Sequence, residues 1–262
     1  MKFIKTRNTL QEDTHIMFPD YHFHTDFSSD CDESIYSVIE SARKKGLSSL
    51  CVTDHYDMDF PVRPEEPETD FDLDIADYYK NYHQLSETLA PDFDLRIGVE
   101  LGVMPSTTNK LNAFVQAHPE LDFTICSLHV VDGMDPYYPE YFEGKEDLTA
   151  YRHYFETLLD CVKEFDNFNV CGHLDYIVRY GKTKAELFDI HDYSDIFYEL
   201  FHNLTILDKD NQLFSVGYNV EHSYQETREI STKISEVSDI IEAYKIYIEY
   251  FIKDLNSYKK SL

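Results

Sequence analysis

Five short motifs each carry at least one histidine or acidic side chain that could bind a metal ion. They are His22-Phe-His24, Thr-Asp54-His55, Gly-Val-Glu100, Ser127-Leu-His129 and Gly-His173-Leu-Asp175. Residues two apart in a strand face the same side, so His22 and His24 can reach one ion. Imidazole combined with carboxylate is a donor set that suits Zn, Mn or Fe better than Mg or Ca alone. The motifs therefore predict a metal centre if the fold brings them together.

Each motif stands at the end of a predicted strand, and amphipathic helices separate the strands. We expect strands over residues 17–23, 49–53, 95–101, 123–128, 169–172 and 213–218, and helices over 32–45, 75–89, 107–117, 149–165, 193–204 and 224–262. Asp32 is expected to cap the first helix and Gly46 to end it. This order is typical of repeated β-α units, in which the carboxyl ends of the strands converge. A single α/β domain with five imidazoles and one carboxylate at one mouth is the prediction.

Composition and charge narrow the class of partner. The chain has 262 residues and a net charge of -27, which argues against binding to nucleic acid or to an anionic membrane. Its five cysteines form no C-x-x-C pair, a pattern expected for reduced thiols in a cytoplasmic protein. We find no signal peptide and no apolar run long enough to span a bilayer.

The same motifs carry a resemblance to the PHP (polymerase and histidinol phosphatase) family. It rests on the runs Asp20-Tyr-His22-Phe-His24-Thr-Asp-Phe-Ser-Ser-Asp30, Val-Thr-Asp54-His55, Gly-Val-Glu100, Ser127-Leu-His129 and Cys-Gly-His173-Leu-Asp175, and covers residues 19 to 181. The resemblance implies a distorted (β/α) barrel of seven strands that holds two or three divalent ions. Arg179-Tyr-Gly and the long insert after the second strand look most like the histidinol-phosphate phosphatases of this family.

The resemblance also implies a role for each motif residue. His22 and His24 would bind one metal ion, Glu100 would bridge it to a second ion, and a third ion would follow. The remaining implied ligands are His129 and His173 for the second ion, and Asp30 and His55 for the third.

Further residues are implied for the substrate, a small phosphorylated molecule. Ser127 and Arg179 would contact its phosphate, with Arg63 as a looser candidate, while Asp54 and Asp175 would orient neighbouring imidazoles. The implied reaction is hydrolysis of L-histidinol phosphate in histidine biosynthesis by in-line attack of hydroxide, with Arg179 stabilising the developing charge. Two alternatives stay open: another PHP-type phosphoesterase, and a metal-binding homologue with impaired catalysis.

The chain departs from the family pattern in its last third. The Gly-Ser-Asp-Ala-His type motif that ends the family's last strand is missing, so we expect that strand and its two ligands to be absent. Glu221 and His222 either replace these ligands or lie at the surface. An open barrel would leave an edge strand to be covered by the C-terminal helix or by a second subunit. Residues 1–18 form an extension that we cannot assign.

Overall fold

A parallel β-sheet forms the centre of the molecule. The computed structural model describes residues 19–66, 71–183 and 188–207. Its strands are β1 (Pro19–Asp20), β2 (Ser49–Val52), β3 (His55–Tyr56), β4 (Asp94–Gly102), β5 (Phe123–Ser127) and β6 (Val170–Cys171). All pair in parallel in the order β1-β2-β4-β5-β6, and β3 pairs with the second half of β4. The predicted strand 213–218, the helical segment 224–262, the extension 1–18 and the alternative ligands Glu221 and His222 lie outside the described residues.

Five α-helices follow the strands, as the β-α alternation predicted. They are α1 (Ile35–Lys44), α2 (Ile75–Leu89), α3 (Thr108–Ala117), α4 (Asp147–Glu164) and α5 (Ser194–Leu207). The predicted cap of α1 was wrong: Ser34, not Asp32, accepts a hydrogen bond from the backbone N–H of Ser37. Gly46 ends the helix as expected, with a φ of 82° that glycine adopts without strain.

Aromatic side chains lock the helices onto the sheet. Tyr78 of α2 is fully buried and donates a hydrogen bond to the backbone oxygen of Gly98 in β4, at 2.8 Å. Tyr154 of α4 does the same for Leu128 after β5, also at 2.8 Å. These bonds satisfy a buried carbonyl group in the middle of β4 and another just after β5. Both lie within two residues of a ligand residue, Glu100 and His129 respectively.

Two loops, one with Arg63 after β3 and the other with Tyr138 after β5, lie at the carboxyl edge of the sheet. Arg63 of the first loop stacks over the ring of Tyr138 in the second, 3.6 Å from the ring centre, and its Nη2 lies 3.2 Å from Glu140. Tyr138 in turn donates a hydrogen bond to Glu66. The two loops therefore contact each other through these side chains. Within the described part of the chain, no helix has the length and apolar character that crossing a bilayer requires.

Candidate metal centre

Glu100 lies at the centre of the cluster that the strand ends form. Its side chain is completely buried, and each of its two oxygens faces a pair of imidazoles. Oε2 lies 3.1 Å from Nε2 of His22 and 3.3 Å from Nε2 of His24. Oε1 lies 2.9 Å from Nε2 of His173 and 3.4 Å from Nε2 of His129. The structure therefore brings together four imidazoles from three strand ends around one carboxylate.

The strand prediction for the first pair needs a correction. β1 ends at Asp20, so His22 and His24 follow the described strand rather than lie within it. They still converge on the same oxygen, because Phe23 is fixed between them by two contacts with Thr53: its N–H donates to Oγ1 at 3.1 Å, and its carbonyl accepts from the N–H at 3.2 Å.

The geometry around Glu100 fits metal ions. Two atoms bound to one ion at ~2.0–2.2 Å in tetrahedral or octahedral geometry lie ~3–3.6 Å apart, which matches most of the distances above. Oε2 of Glu100 is buried and has no hydrogen-bond partner among the described residues, although two imidazoles lie close to it. Potential ligand atoms also form three compact groups, namely His22 with Glu100 and His173, His24 with His55 and Glu100, and His55 with Asp57 and His129. A buried oxygen that has no hydrogen-bond partner and is surrounded by potential metal ligands is one that a bound metal ion would satisfy.

Burial and charge set the protonation of the cluster. Burial alone would raise the pKa of Glu100, but the imidazoles around it, His22 and His55 first, outweigh burial and hold that pKa well below its usual range. Burial lowers the pKa of His24 to about 4 and also lowers that of His173, although Glu100 opposes both shifts. An ionised carboxylate and neutral imidazoles are the forms that bind metal ions.

His55 joins the cluster on the side of Asp30. Its Nε2 lies 3.5 Å from Asp30 and its Nδ1 lies 3.7 Å from Oε2 of Glu100. Burial would lower the pKa of His55, but Glu100, Asp30 and Asp57 together raise it well above its usual value. The residues that the resemblance assigned to a third ion therefore do lie side by side, next to the first pair.

Asp57 also belongs to the cluster, although it was not among the ligands expected from the sequence. Its buried carboxylate lies 2.7 Å from Nδ1 of His129 and 3.3 Å from Nδ1 of His55. A carboxylate on one ring nitrogen fixes the direction of the other, and here Nε2 of His129 is aimed at Glu100. Gly102 leaves the room for this carboxylate, because a Cβ there would overlap it. The spacing Asp54-His55-Tyr-Asp57 was the only signal in the sequence.

Asp54 acts on the backbone rather than on an imidazole, which corrects its expected role. Its carboxylate accepts hydrogen bonds from the N–H of Thr25 at 2.6 Å, from the hydroxyl of Thr25 at 2.9 Å and from Ser28 at 2.9 Å. Ser28 in turn accepts the N–H of His55 at 2.9 Å. Asp54 thereby ties the loop after His24 to the start of β3, but it does not line the cavity described below.

Ser127 also differs from its expected role. It is fully buried, does not line the cavity, and donates its hydroxyl to Oε1 of Glu100 at 2.5 Å. Gly172 lies against this hydroxyl, and a Cβ there would overlap it. The position of Ser127 supports orientation of Glu100 rather than contact with phosphate.

A cavity of about 840 Å³ opens over the cluster. Arg179 lines it from a 3-10 turn after β6, and Nη2 of Arg179 lies 3.3 Å from Oδ1 of the buried Asp175. The charge of Asp175 helps to raise the pKa of Arg179 although burial opposes it, so Arg179 stays a cation beside the metal cluster. Asp175 thus contacts Arg179 and not an imidazole. Arg63 does not line the cavity, because it is paired with Glu140 in the loop contact.

Fold and site together define an α/β protein with a histidine- and carboxylate-rich metal-binding cluster at the carboxyl ends of its parallel strands. The profile of the PHP domain matches residues 20–251. The chain therefore belongs to the PHP domain family.

Known relatives agree with this assignment. The chain is 31% identical over 191 residues to a histidinol-phosphatase of Lactococcus lactis, covering 72% of this chain and 68% of the relative. It is 29% identical over 176 residues to a "probable histidinol-phosphatase" of Clostridium acetobutylicum, covering 67% and 64%. A crystal structure of histidinol phosphate phosphatase from Lactococcus lactis, complexed with zinc, L-histidinol and phosphate, aligns with a TM-score of 0.66 and 31% identity, over 73% of this chain and 70% of that one.

Proposed function

We propose that the chain is a metal-dependent phosphomonoester hydrolase that releases phosphate from L-histidinol phosphate. The observation that carries the proposal is Glu100, whose two oxygens each face a pair of imidazoles at the floor of a cavity that also holds Arg179. The solved Lactococcus lactis relative, which holds zinc, L-histidinol and phosphate, supports the same chemistry.

Two or three divalent ions fit the ligand set. His22 and His24 hold one side of Glu100, and His129 and His173 hold the other, with His55 and Asp30 as a further pair. Ions bound there would supply positive charge opposite the phosphoryl oxygens and would lower the pKa of water toward neutrality. Because Glu100, His129 and His173 are buried, their positions are set before the substrate arrives.

Arg179 is the proposed phosphate-binding residue of the chain itself. A guanidinium can donate two parallel hydrogen bonds to phosphate oxygens, and these strengthen as negative charge develops in the transition state. Asp175 keeps the guanidinium in place at 3.3 Å, so the group needs little reorganisation.

The proposal is tested by phosphate release from L-histidinol phosphate by the pure chain, loaded with zinc or manganese. We expect turnover by the native chain and its loss in Glu100→Gln, which removes a charge from the centre of the cluster. Glu87→Gln, at an exposed position of α2, is the matched control and should keep full activity. A folded, metal-loaded native chain that releases no phosphate from this ester overturns the proposal.

A panel of other phosphate esters separates L-histidinol phosphate from the alternative substrates of the family. Preference for a nucleotide or another small ester would keep the phosphoesterase chemistry and replace the substrate. A chain that binds metal but hydrolyses no ester would instead be the catalytically impaired homologue.

A further inference from the structure

The cavity has two ends of different chemistry. One end is the metal-binding cluster around Glu100, and the other is a wall of tyrosines around the carboxylate of Asp135. Tyr176 joins the two ends, because its ring centre lies 5.2 Å from that of His173 and its hydroxyl reaches Asp135. A ligand with phosphate at the first end therefore presents its organic part to the second.

The carboxylate of Asp135 is positioned to bind a cation. Its Oδ1 accepts two hydrogen bonds, from the N–H of Tyr137 at 2.8 Å and from the hydroxyl of Tyr176 at 2.9 Å. Both bonds favour the ionised carboxylate, although burial raises the pKa of Asp135 above its usual value. The other oxygen, Oδ2, makes no hydrogen bond to the part of the chain that the structure describes. One oxygen is thus held in place while the second is left for a ligand.

The tyrosine wall favours the same kind of ligand. Tyr180 packs against Tyr176 with ring centres 5.1 Å apart, and both rings line the cavity. The faces of such rings attract ammonium and related cations. Among the described lining residues Arg179 is the only lysine or arginine, and its guanidinium lies 3.3 Å from Asp175. No lysine or arginine of the described residues pairs with Asp135.

We propose that Asp135, with the rings of Tyr176 and Tyr180, is the subsite that binds a positively charged group of the substrate and so determines specificity. This inference rests on the proposed function, because it takes the phosphate to lie over Glu100 and beside Arg179. Phosphomonoesters that carry an ammonium or imidazolium group would fit both ends. Esters with a neutral organic group would gain nothing from the second end.

The test compares two esters in native chain and variants. We expect Asp135→Asn to lower kcat/KM for L-histidinol phosphate about 10- to 100-fold, the size of one lost charged hydrogen bond. Turnover of 4-nitrophenyl phosphate, whose organic group carries no charge, should not change. Asp132→Asn is the matched control, because Asp132 lies in the same loop but pairs with His153 outside the cavity. An equal loss on both esters, or no loss on either, overturns the proposal.

A binding measurement keeps the subsite testable apart from turnover. Calorimetry with L-histidinol, the cationic product without phosphate, should show weaker binding to Asp135→Asn than to the native chain and to Asp132→Asn. Tyr176→Phe keeps the ring but removes one hydrogen bond to Asp135, so a smaller loss is expected. If the native chain hydrolyses no ester yet binds L-histidinol through Asp135, the hydrolase proposal fails while the subsite stands. Unchanged L-histidinol binding in Asp135→Asn contradicts the subsite.

Discussion

The carboxylate of Asp57 lies 2.7 Å from Nδ1 of His129 and 3.3 Å from Nδ1 of His55. One buried acid thereby orients two imidazoles that belong to different strand ends. Burial would raise its pKa, but the charges and contacts of the two histidines lower the pKa of Asp57 to about 2. This ionised carboxylate links His55, which lies beside Asp30, to His129, which lies beside His173.

Replacing Asp57 should weaken metal binding without unfolding the chain. An amide in Asp57→Asn can accept from only one of the two imidazoles and presents N–H groups to the other, so we expect zinc affinity to fall about 10- to 100-fold. Zinc titration of the metal-free protein by calorimetry measures the change. Asp59→Asn, two residues along and on the surface beside Lys110, is the control that should bind zinc normally. Native affinity in Asp57→Asn would contradict the orienting role.

We expect a glycine to be required at position 102 because the carboxylate of Asp57 lies against it. A Cβ at Gly102 overlaps the Asp57 carboxylate, so Gly102→Ala is expected to lower the free energy of unfolding by about 1–3 kcal/mol, the usual cost of overpacking, and to weaken zinc binding. Denaturant unfolding of the single variants and of Gly102→Ala combined with Asp57→Ala tests the coupling. The alanine at 102 should cost clearly less when Asp57 is already truncated. Fully additive effects would show that the two positions do not interact.

Zinc binding should release protons and strengthen with pH. Burial would lower the pKa of His129, but Asp57 and Glu100 raise it to about 10, so this ring carries a proton at pH 7.5 without metal. The pKa of His55 is raised as well. A metal ion displaces such protons, so affinity should rise with pH until it passes the pKa of His129. Glu100 is already ionised and contributes no proton. Calorimetry at pH 7.5 in buffers of different ionisation enthalpy counts the protons, and a pH-independent affinity between pH 7 and 9 would refute the expectation.

Arg179 should matter for the substrate and not for the metal ions. Arg179→Met removes the guanidinium from the cavity, and we expect kcat/KM for L-histidinol phosphate to fall by about 10²- to 10³-fold with metal content unchanged. Steady-state kinetics and elemental analysis measure both quantities. Arg63→Met serves as the comparison, because Arg63 is held by Glu140 and Tyr138 away from the cavity and should affect kcat/KM little. Equal losses of kcat/KM in the two variants would show that Arg63 also contributes to phosphate binding.

Much of the fold followed from hydrophobic periodicity. Helix α2 spans Ile75–Leu89 as predicted, because Asp74 caps it and the apolar stripe runs to its end. Strand β3 was missed, because two residues are too short for a periodic pattern. The cap of α1 was misplaced since Asp32 and Ser34 are both good caps, and only the hydrogen bond of Ser34 decides between them.

The site could be predicted from the sequence where each ligand motif lies at the end of one strand. His22, His24, His129 and His173 converge on Glu100 because parallel strands bring their carboxyl ends to one edge. Contacts between side chains of distant segments were not predictable. The carboxylates of Asp54 and Asp57 stand three residues apart, yet one binds a backbone turn and the other two imidazoles. The partner of Asp135 is Tyr176, 41 residues away, which no local pattern indicates.

The central claim, that Glu100 and the imidazoles around it hold divalent ions, is tested most directly by the metal content of the purified chain. Elemental analysis of the native protein should find at least two zinc, manganese or iron ions per chain, and Glu100→Gln should lose most of them. A native chain that stays metal-free after incubation with these ions, or a Glu100→Gln variant that keeps the full complement, would contradict the account.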